Sequence, residues 1–136
     1  MRIGFTAGVF DLFNAGHVLM LKKCKQECDR LVVGIQTDPI IDRPGTKNKP
    51  VQSIFERQVQ VGACRYVDKV VIYQTEQDLE DILETQPIDV RFVGKDHFGG
   101  FMTGELICLK RGIQIIYQER GGRFSSSELR ERVKLS

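Results

Sequence analysis

The sequence has no hydrophobic run that approaches the roughly 20 residues needed to cross a membrane as a helix. Its first residues also lack the apolar core and small-residue cleavage site of a secretory leader, because Met1 and Arg2 lead directly into a short apolar segment. From these absences we expect neither a membrane span nor secretion. The expected location is the cytoplasm.

An excess of charge of one sign is also missing. Lys and Arg number 20 and Asp and Glu number 18, which gives a formal net charge of +2 at pH 7. A net charge this small does not indicate a surface for nucleic acid or for an anionic membrane. We therefore expect no nucleic-acid partner.

Cysteine is scarce, and its spacing argues against a metal centre. The four cysteines are Cys24, Cys28, Cys64 and Cys108. Cys24 and Cys28 lie one helical turn apart, but no second close pair and no nearby histidine completes a zinc site. We expect free thiols and no metal held by protein ligands.

The sequence does contain a regular alternation of short apolar segments with helical patterns. At 136 residues the chain is long enough for one domain with one core. The predicted strands are residues 3–7, 30–36, 67–73, 89–93 and 113–118, and the predicted helices are residues 17–28, 78–85 and 103–111, with two more beginning near Ser53 and Ser125. This order predicts a single-domain α/β fold with a doubly wound, Rossmann-like, five-stranded parallel sheet.

Doubly wound sheets bind ligands at the carboxyl ends of their strands, where the strand order reverses. Four predicted loops lie at that edge, residues 8–17, 37–52, 94–100 and 119–127. The second of them has neither a strand period nor a helical period, and loops of its length in a compact domain tend to be functional or mobile.

The first loop has the composition of a phosphate site. It reads Gly8-Val9-Phe10-Asp11-Leu12-Phe13-Asn14-Ala15-Gly16-His17. Glycines let the backbone approach oxyanions, and the amides and positive end of the following helix attract them. The Gly-X-Gly-X-X-Gly pattern is absent, so the loop does not indicate a dinucleotide site.

The last loop is a second candidate phosphate site. It reads Arg120-Gly121-Gly122-Arg123-Phe124-Ser125-Ser126-Ser127, and Glu128 completes a capping box with Ser125. Hydroxyls and free amides at a helix start, together with a guanidinium, can hold a triphosphate. Capping explains Ser125 but does not explain three serines after two arginines.

Together the two loops resemble the signature of the cytidylyltransferase-like nucleotidyltransferases. That family has Gly-(Thr/Cys/Val)-Phe-Asp followed by His-X-Gly-His, and later Arg-X-X-Gly-Ile-Ser-(Ser/Thr)-(Ser/Thr). Here Asn14 stands in place of the first histidine, Arg123 in place of glycine and Phe124 in place of isoleucine. The resemblance covers essentially the whole chain and is closest to glycerol-3-phosphate cytidylyltransferase.

The resemblance implies that CTP and a phosphate monoester, glycerol 3-phosphate or a similar molecule, are joined to give a CDP-alcohol and pyrophosphate, with Mg²⁺ assisting. It also implies a homodimer, because relatives have a dimer contact near the segment that here reads Arg65-Tyr66-Val67-Asp68. The implied catalytic residues are His17, Asn14, Lys49, Arg120 and Ser126. The implied nucleotide-binding residues are Gly8, Val9, Phe10, Asp11, Asn14, Ala15, Gly16, His17, Lys49, Arg65, Asp96, Arg120, Gly121, Gly122, Arg123, Phe124, Ser125, Ser126 and Ser127, and Lys47 and Arg57 are implied to bind the acceptor phosphate.

Two points stay open in the sequence. Asp11 can hold the turn by bonding backbone amides, or it can orient a magnesium ion. Asn14 carries no charge, so it offers less to the transition state than a histidine and predicts a slow enzyme. Two other functions remain alternatives: a nucleotide-binding sensor that has lost turnover, and an ATP-using adenylyltransferase that acts on a sugar phosphate or a flavin precursor.

Overall fold

The computed structural model describes residues 1–42, 44–45, 49–95, 102–119 and 126–135, with the backbone alone described for residues 126 and 127. In these ranges no helix combines the length and the apolar composition that a membrane crossing requires.

The described residues form one sheet in which every pairing is parallel. Its strands are β1 (Ile3–Gly8), β2 (Arg30–Gln36), β3 (Lys69–Tyr73), β4 (Val90–Gly94) and β5 (Gln114–Gln118). They lie in the order β3-β2-β1-β4-β5, and the register places Gly4 of β1 opposite Leu31 of β2 and Val90 of β4. The strand order reverses beside β1, which makes the carboxyl end of β1 the expected ligand edge.

Helices follow each strand. They are α1 (Ala15–Gln26), α2 (Ile54–Gly62), α3 (Glu76–Thr85), α4 (Glu105–Arg111) and α5 (Ser126–Leu135). One core cluster joins Leu21 of α1 and Val61 of α2 to the inner strands, and another joins Leu83 of α3 and Cys108 of α4 to Phe5 of β1. The first two helices therefore cover one face of the sheet, and the next two cover the other.

The predicted fold class is confirmed, whereas several element boundaries differ. The first helix begins at Ala15 because Asn14 caps it, and the third begins at Glu76 because Thr75 caps it. The third strand begins at Lys69, since the amide of Val67 is bonded in a turn to the carbonyl of Cys64. The fourth helix begins at Glu105 after a left-handed glycine, and β4 and β5 each begin one residue later than predicted.

Two capping predictions are confirmed. Ser53 and Glu56 form the capping box of α2, and Gly112 ends α4 in the left-handed conformation with φ 69°. The second predicted capping box involves Ser125, which lies outside the described residues.

The four cysteines are free thiols, as predicted. Burial raises the pKa of the Cys24 thiol to about 12 and also raises the pKa of Cys28. Both groups are therefore protonated at neutral pH, which suits packing better than reactivity.

Candidate functional site

The turn after β1 holds two residues in the left-handed backbone region. Phe10 has φ 54° and Leu12 has φ 51°, conformations that cost an L residue about 1–2 kcal/mol each. Burial of the Phe10 ring, which is 5% exposed in the core cluster beside α1 and α2, offsets that cost. Gly8 makes room for the ring, because a Cβ on Gly8 would lie 3.2 Å from it. The side chain of Phe10 is thus part of the core. Only the backbone of Phe10 is left for its predicted contact with a nucleotide.

Hydrogen bonds tie this turn to the residues just before α2. The carboxylate of Asp11 accepts from the amides of Val51 at 2.8 Å and Gln52 at 2.9 Å. The amide of Leu12 donates to Oε1 of Gln52 at 2.9 Å. Asp11 is 6% exposed and also pairs with Nη2 of Arg130 at 2.5 Å. Asp11 therefore bonds backbone amides, which is the first of the two roles that the sequence allowed for it.

The magnesium role does not fit Asp11 in this arrangement. A magnesium ligand must turn a carboxylate oxygen toward the ion, and both oxygens of Asp11 already accept hydrogen bonds. Elsewhere in the described ranges, no three His, Cys, Asp or Glu side chains gather in a way that could hold a metal ion. The described residues thus hold no cluster of three such side chains, and a Mg²⁺ ion bound mainly through nucleotide phosphates stays a prediction.

The start of α1 is a capping box with an unusual partner. Oδ1 of Asn14 accepts from the amides of Gly16, at 2.9 Å, and His17, while Nδ2 of Asn14 donates to the carbonyl of Leu12 at 2.8 Å. In return, Nδ1 of His17 accepts from the amide of Asn14 at 3.1 Å. Because Nδ1 accepts, the neutral imidazole carries its proton on Nε2.

Aromatic contacts fix the plane of the His17 ring. It stacks on Phe13 with a centroid distance of 5.4 Å and an interplanar angle of 3°, and it lies at 49° to Phe10 at the same distance. The hydrogen bond to Nδ1 and these two contacts hold the imidazole in one orientation at the first turn of α1.

The electrostatics of this helix start differ from those of the other described helices. The first turn of α1 contains no acidic residue, whereas the first turns of the other four contain Glu56, Glu76 with Asp78, Glu105 and Glu128. An acidic residue neutralises the positive end of a helix dipole. The positive end of α1 keeps its attraction for an anion, and it lies where the strand order reverses.

Arg57 has a structural role that the sequence analysis missed. Its side chain donates to the carbonyls of Val9 at 3.0 Å, Gln36 at 2.6 Å, Thr37 at 2.6 Å and Gln52 at 3.1 Å. The residue is 2% exposed, and burial lowers its guanidinium pKa, while Asp11 and Asp38 oppose that shift. These donors join the ends of β1 and β2 to the start of α2, and the predicted binding of the acceptor phosphate by Arg57 stays a prediction.

The other predicted site residues fall into three groups. Val9 lies in the turn after β1, Ala15 and Gly16 lie in the first turn of α1, and Lys49 is exposed on the loop before α2. Arg65 is exposed beside a groove of about 390 Å³ that Phe13 also lines, so it lies next to the residue that stacks on His17. Outside the described residues are Lys47, Asp96, Arg120, Gly121, Gly122, Arg123, Phe124 and Ser125, while Ser126 and Ser127 are described as the backbone that begins α5.

Two residues at this site were missed in the sequence. Gln52 and Arg130 both bond to the turn after β1, from 40 and 119 residues away along the chain. Arg130 lies one helical turn after the serine run, and that position could have marked it as a site residue. Nothing in the sequence connects it to Asp11. The long separations explain why neither contact could be read from local pattern.

Comparisons with known proteins find relatives along almost the whole chain. The family model described as Cytidylyltransferase-like matches residues 5–132. The chain is 35% identical over 133 residues to the "Bifunctional protein HldE" of Campylobacter jejuni, covering 98% of this chain and 28% of that protein. It is 34% identical over 119 residues to the protein of the same name from Caulobacter vibrioides, covering 88% of this chain and 24% of that one. The chain therefore spans about a quarter of the length of these curated relatives.

Solved structures share the fold. The "lipopolysaccharide core biosynthesis protein" of Thermoplasma volcanium has a TM-score of 0.70 and 25% identity, covering 89% of this chain and 98% of that one. Pantothenate synthetase of Thermus thermophilus has a TM-score of 0.65 at 13% identity, covering 100% of this chain and 62% of that one, which is a likeness of fold alone.

Proposed function

We propose that this chain, which belongs to the cytidylyltransferase-like family of nucleotidyltransferases, transfers a nucleotidyl group from a nucleoside triphosphate to a phosphate monoester. An oxygen of the acceptor phosphate attacks the α-phosphorus in line, and the bond from that phosphorus to the oxygen bridging the α- and β-phosphates breaks. Pyrophosphate leaves, and no covalent enzyme intermediate forms.

The start of α1 is the observation that carries this proposal. It joins the positive end of a helix, a first turn without carboxylates and an imidazole held by Phe13 and Asn14. Asn14 already bonds the amides of Gly16 and His17. An anion at this place is therefore held by the helix dipole and the imidazole rather than by those two amides.

His17 is the residue to which we assign transition-state stabilisation. With Nδ1 accepting from the backbone, Nε2 is the ring nitrogen that carries the proton of the neutral imidazole, and we assign to it the bond to a phosphoryl oxygen as negative charge builds there. A ring turned over by half a turn keeps its plane on Phe13 but loses the bond from the amide of Asn14 to Nδ1. Fixed orientation of this kind is what makes a donor effective in a transition state.

We propose ATP and a sugar phosphate as the substrates, ahead of CTP and glycerol 3-phosphate. The HldE relatives, at about one-third identity over almost the whole chain, favour an adenylyl donor and a sugar-phosphate acceptor. CTP remains the second candidate, because the family description and the Gly8 to His17 motif are those of cytidylyltransferases. The roles of Lys47, Lys49, Arg65, Asp96, Arg120 and the serine run stay predictions, as does the homodimer.

A pyrophosphate-release screen tests the proposal. The four nucleoside triphosphates are each paired with sugar 1-phosphates, sugar 6-phosphates, glycerol 3-phosphate and flavin mononucleotide, and each triphosphate without acceptor is the control. We expect release with ATP and a sugar phosphate. Release with CTP and glycerol 3-phosphate instead would make that pair, and not ATP with a sugar phosphate, the preferred substrates. Binding of a triphosphate without release for any pair supports the sensor alternative.

A further inference from the structure

The backbone of Leu12 is bonded on both sides by amide side chains. Its amide donates to Oε1 of Gln52 at 2.9 Å, and its carbonyl accepts from Nδ2 of Asn14 at 2.8 Å. The residue lies in the left-handed region with φ 51°, which is unfavourable for a leucine. These two bonds therefore hold a conformation that the residue would not prefer by itself.

The orientation of the His17 ring depends on the backbone just after Leu12. The amide of Asn14, two residues further along the chain, donates to Nδ1 of His17 at 3.1 Å. The position of that amide follows from the path of the chain between Leu12 and Asn14, because one residue alone separates them. Two hydrogen bonds and a short piece of backbone thus connect Gln52 to the imidazole.

The stack on Phe13 does not fix the direction of the ring. The two rings are nearly parallel, with an interplanar angle of 3°, and an imidazole turned by half a turn about its bond to Cβ keeps that plane. The hydrogen bond to Nδ1 is the contact that distinguishes the two ring nitrogens. The direction of the ring therefore depends on the backbone that Gln52 holds.

We propose that Gln52 is a positioning residue for His17. Its Oε1 holds the amide of Leu12, so that the amide of Asn14 meets Nδ1 and the proton of the neutral imidazole stays on Nε2. This inference rests on the proposed function, in which Nε2 bonds a phosphoryl oxygen as negative charge builds there. Gln52 acts through Leu12 and Asn14, so it need not touch either substrate.

The backbone of Gln52 makes separate contacts, and these allow a clean test. Its amide donates to Oδ1 of Asp11 at 2.9 Å, and its carbonyl accepts from Nε of Arg57 at 3.1 Å. Both bonds use backbone atoms, so a change of the side chain leaves their donor and acceptor in place. A substitution at Gln52 can therefore remove the bond to Leu12 while this segment stays attached to the turn and to α2.

The experiment compares Gln52→Met, which has no oxygen to accept the bond, with Gln52→Glu, which keeps one. Gln58→Met is the matched control, because Gln58 is an exposed glutamine on α2. The ring nitrogens of His17 are observed by ¹⁵N NMR without nucleotide, at a pH where the imidazole is neutral. The kcat and KM of pyrophosphate release are measured with the substrate pair that the wild type uses.

We expect Gln52→Met to populate both tautomers of His17, so that the signals of the two ring nitrogens move toward each other. The kcat should fall about tenfold, with the KM for the nucleotide nearly unchanged, because the orientation of this donor matters most in the transition state. In Gln52→Glu the two tautomers should keep their wild-type proportions. Gln58→Met should match the wild type in both measurements.

Cooperative urea unfolding establishes that each variant is folded. Gln52→Asn provides a second test of the same bond, because its shorter side chain draws the oxygen away from Leu12. We expect it to change the ring signals and the kcat in the same direction as Gln52→Met, and it decides the matter if Gln52→Met does not fold.

Three results overturn the inference. The first is a folded variant without the oxygen that matches the wild type in both ring signals and kcat. The second is a lower kcat with unchanged ring signals, which would make Gln52 a direct substrate contact. The third is altered ring signals with an unchanged kcat, which would mean that the direction of the ring does not limit the reaction. If the wild type releases no pyrophosphate with any pair, the proposed function fails, while the ring signals still decide whether Gln52 positions His17.

Discussion

Helices α1 and α2 begin in nearly the same way, but only α2 has a carboxylate in its first turn. Both starts are capping boxes, formed by Asn14 with His17 in α1 and by Ser53 with Glu56 in α2. The side chain of Glu56 bonds back to the amide of Ser53 at 3.3 Å, as the imidazole of His17 does to the amide of Asn14 at 3.1 Å. Replacing the carboxylate by an imidazole keeps the cap but leaves the helix dipole without a negative charge.

The surroundings of the two starts reinforce that difference. The amides just before α2 bond to Asp11, and Arg57 of α2 binds the carbonyl ends of β1 and β2. The start of α1 instead carries an imidazole stacked on Phe13. The start of α2 bonds to other parts of the fold, whereas the start of α1 is the place where we propose that an anion binds.

The largest expected effect comes from Arg57, which fixes the start of α2. Arg57→Ala removes the donors for four backbone carbonyls, and we expect a loss of about 3–5 kcal/mol in the free energy of unfolding. Urea unfolding measures it, with the exposed Arg65→Ala as the control, expected within about 0.5 kcal/mol of the wild type. If Arg57→Ala is as stable as the wild type and weakens only acceptor binding, the role that the sequence predicted for Arg57 is correct.

A substitution that makes the two helix starts alike should separate activity from stability. His17→Glu keeps a group that can accept from the amide of Asn14, but it places a carboxylate where the anion binds. We expect pyrophosphate release to fall about 10² to 10³-fold and the free energy of unfolding to change by less than about 0.5 kcal/mol. Glu56→His is the reciprocal control, with an unchanged rate.

A catalytic rate in His17→Glu equal to that of the wild type would show that the histidine serves the cap alone. A decrease in rate in Glu56→His would show that α2 takes part in the chemistry. Either result removes the contrast between the two helix starts.

Asn14→His tests how much the asparagine cap of α1 lowers the maximal rate. Asparagine is among the best N-cap residues, so its loss should lower the free energy of unfolding by about 1 kcal/mol. A histidine can donate and carry charge, so we expect the maximal rate to rise at least about tenfold with little change in nucleotide affinity. The measurement is steady-state pyrophosphate release with the acceptor that the wild type uses. A rate no higher than that of the wild type would mean that Asn14 suits this chemistry as it is.

The smallest expected effect is a lowered pKa in α3, whose capping box also has a carboxylate, that of Asp78. The backbone amides of Thr75 and Gln74 lower the pKa of Asp78 below its usual 3.8. Because the folded-state pKa is the lower one, the stabilisation by Asp78 is present above the unfolded value and is lost as the pH falls through the folded value. Carboxyl NMR titration should give a midpoint below 3.8 for Asp78. A midpoint at or above that value would weaken the argument that these helix starts favour negative charge.

Much of this architecture could be predicted from the sequence. Short apolar strands alternating with helical patterns predict the parallel sheet, and the Ser53 and Glu56 pair predicts the start of α2. The turn from Gly8 to His17 was identified because its glycines, aspartate and histidine form a dense local pattern. Local patterns of this kind depend on nearby residues alone.

The internal contacts of the site could not be predicted in the same way. The partners of Asp11 lie 40, 41 and 119 residues away, and those of Arg57 include a carbonyl 48 residues away. An arginine at a sheet edge looks the same in a sequence whether it meets a phosphate or backbone carbonyls. Burial decides between these roles, and burial follows from the tertiary arrangement.

Backbone NMR with ATP tests the central claim most directly, because it compares the two helix starts in one sample. We predict that ATP shifts the amide signals of Ala15, Gly16 and His17 and the ring signals of His17, while those of residues 54–56 move little. In His17→Glu the shifts at α1 should disappear at the same ATP concentration. Shifts that cluster at the start of α2, or in the groove beside Arg65 with α1 unaffected, would contradict the assignment of the phosphate site to α1.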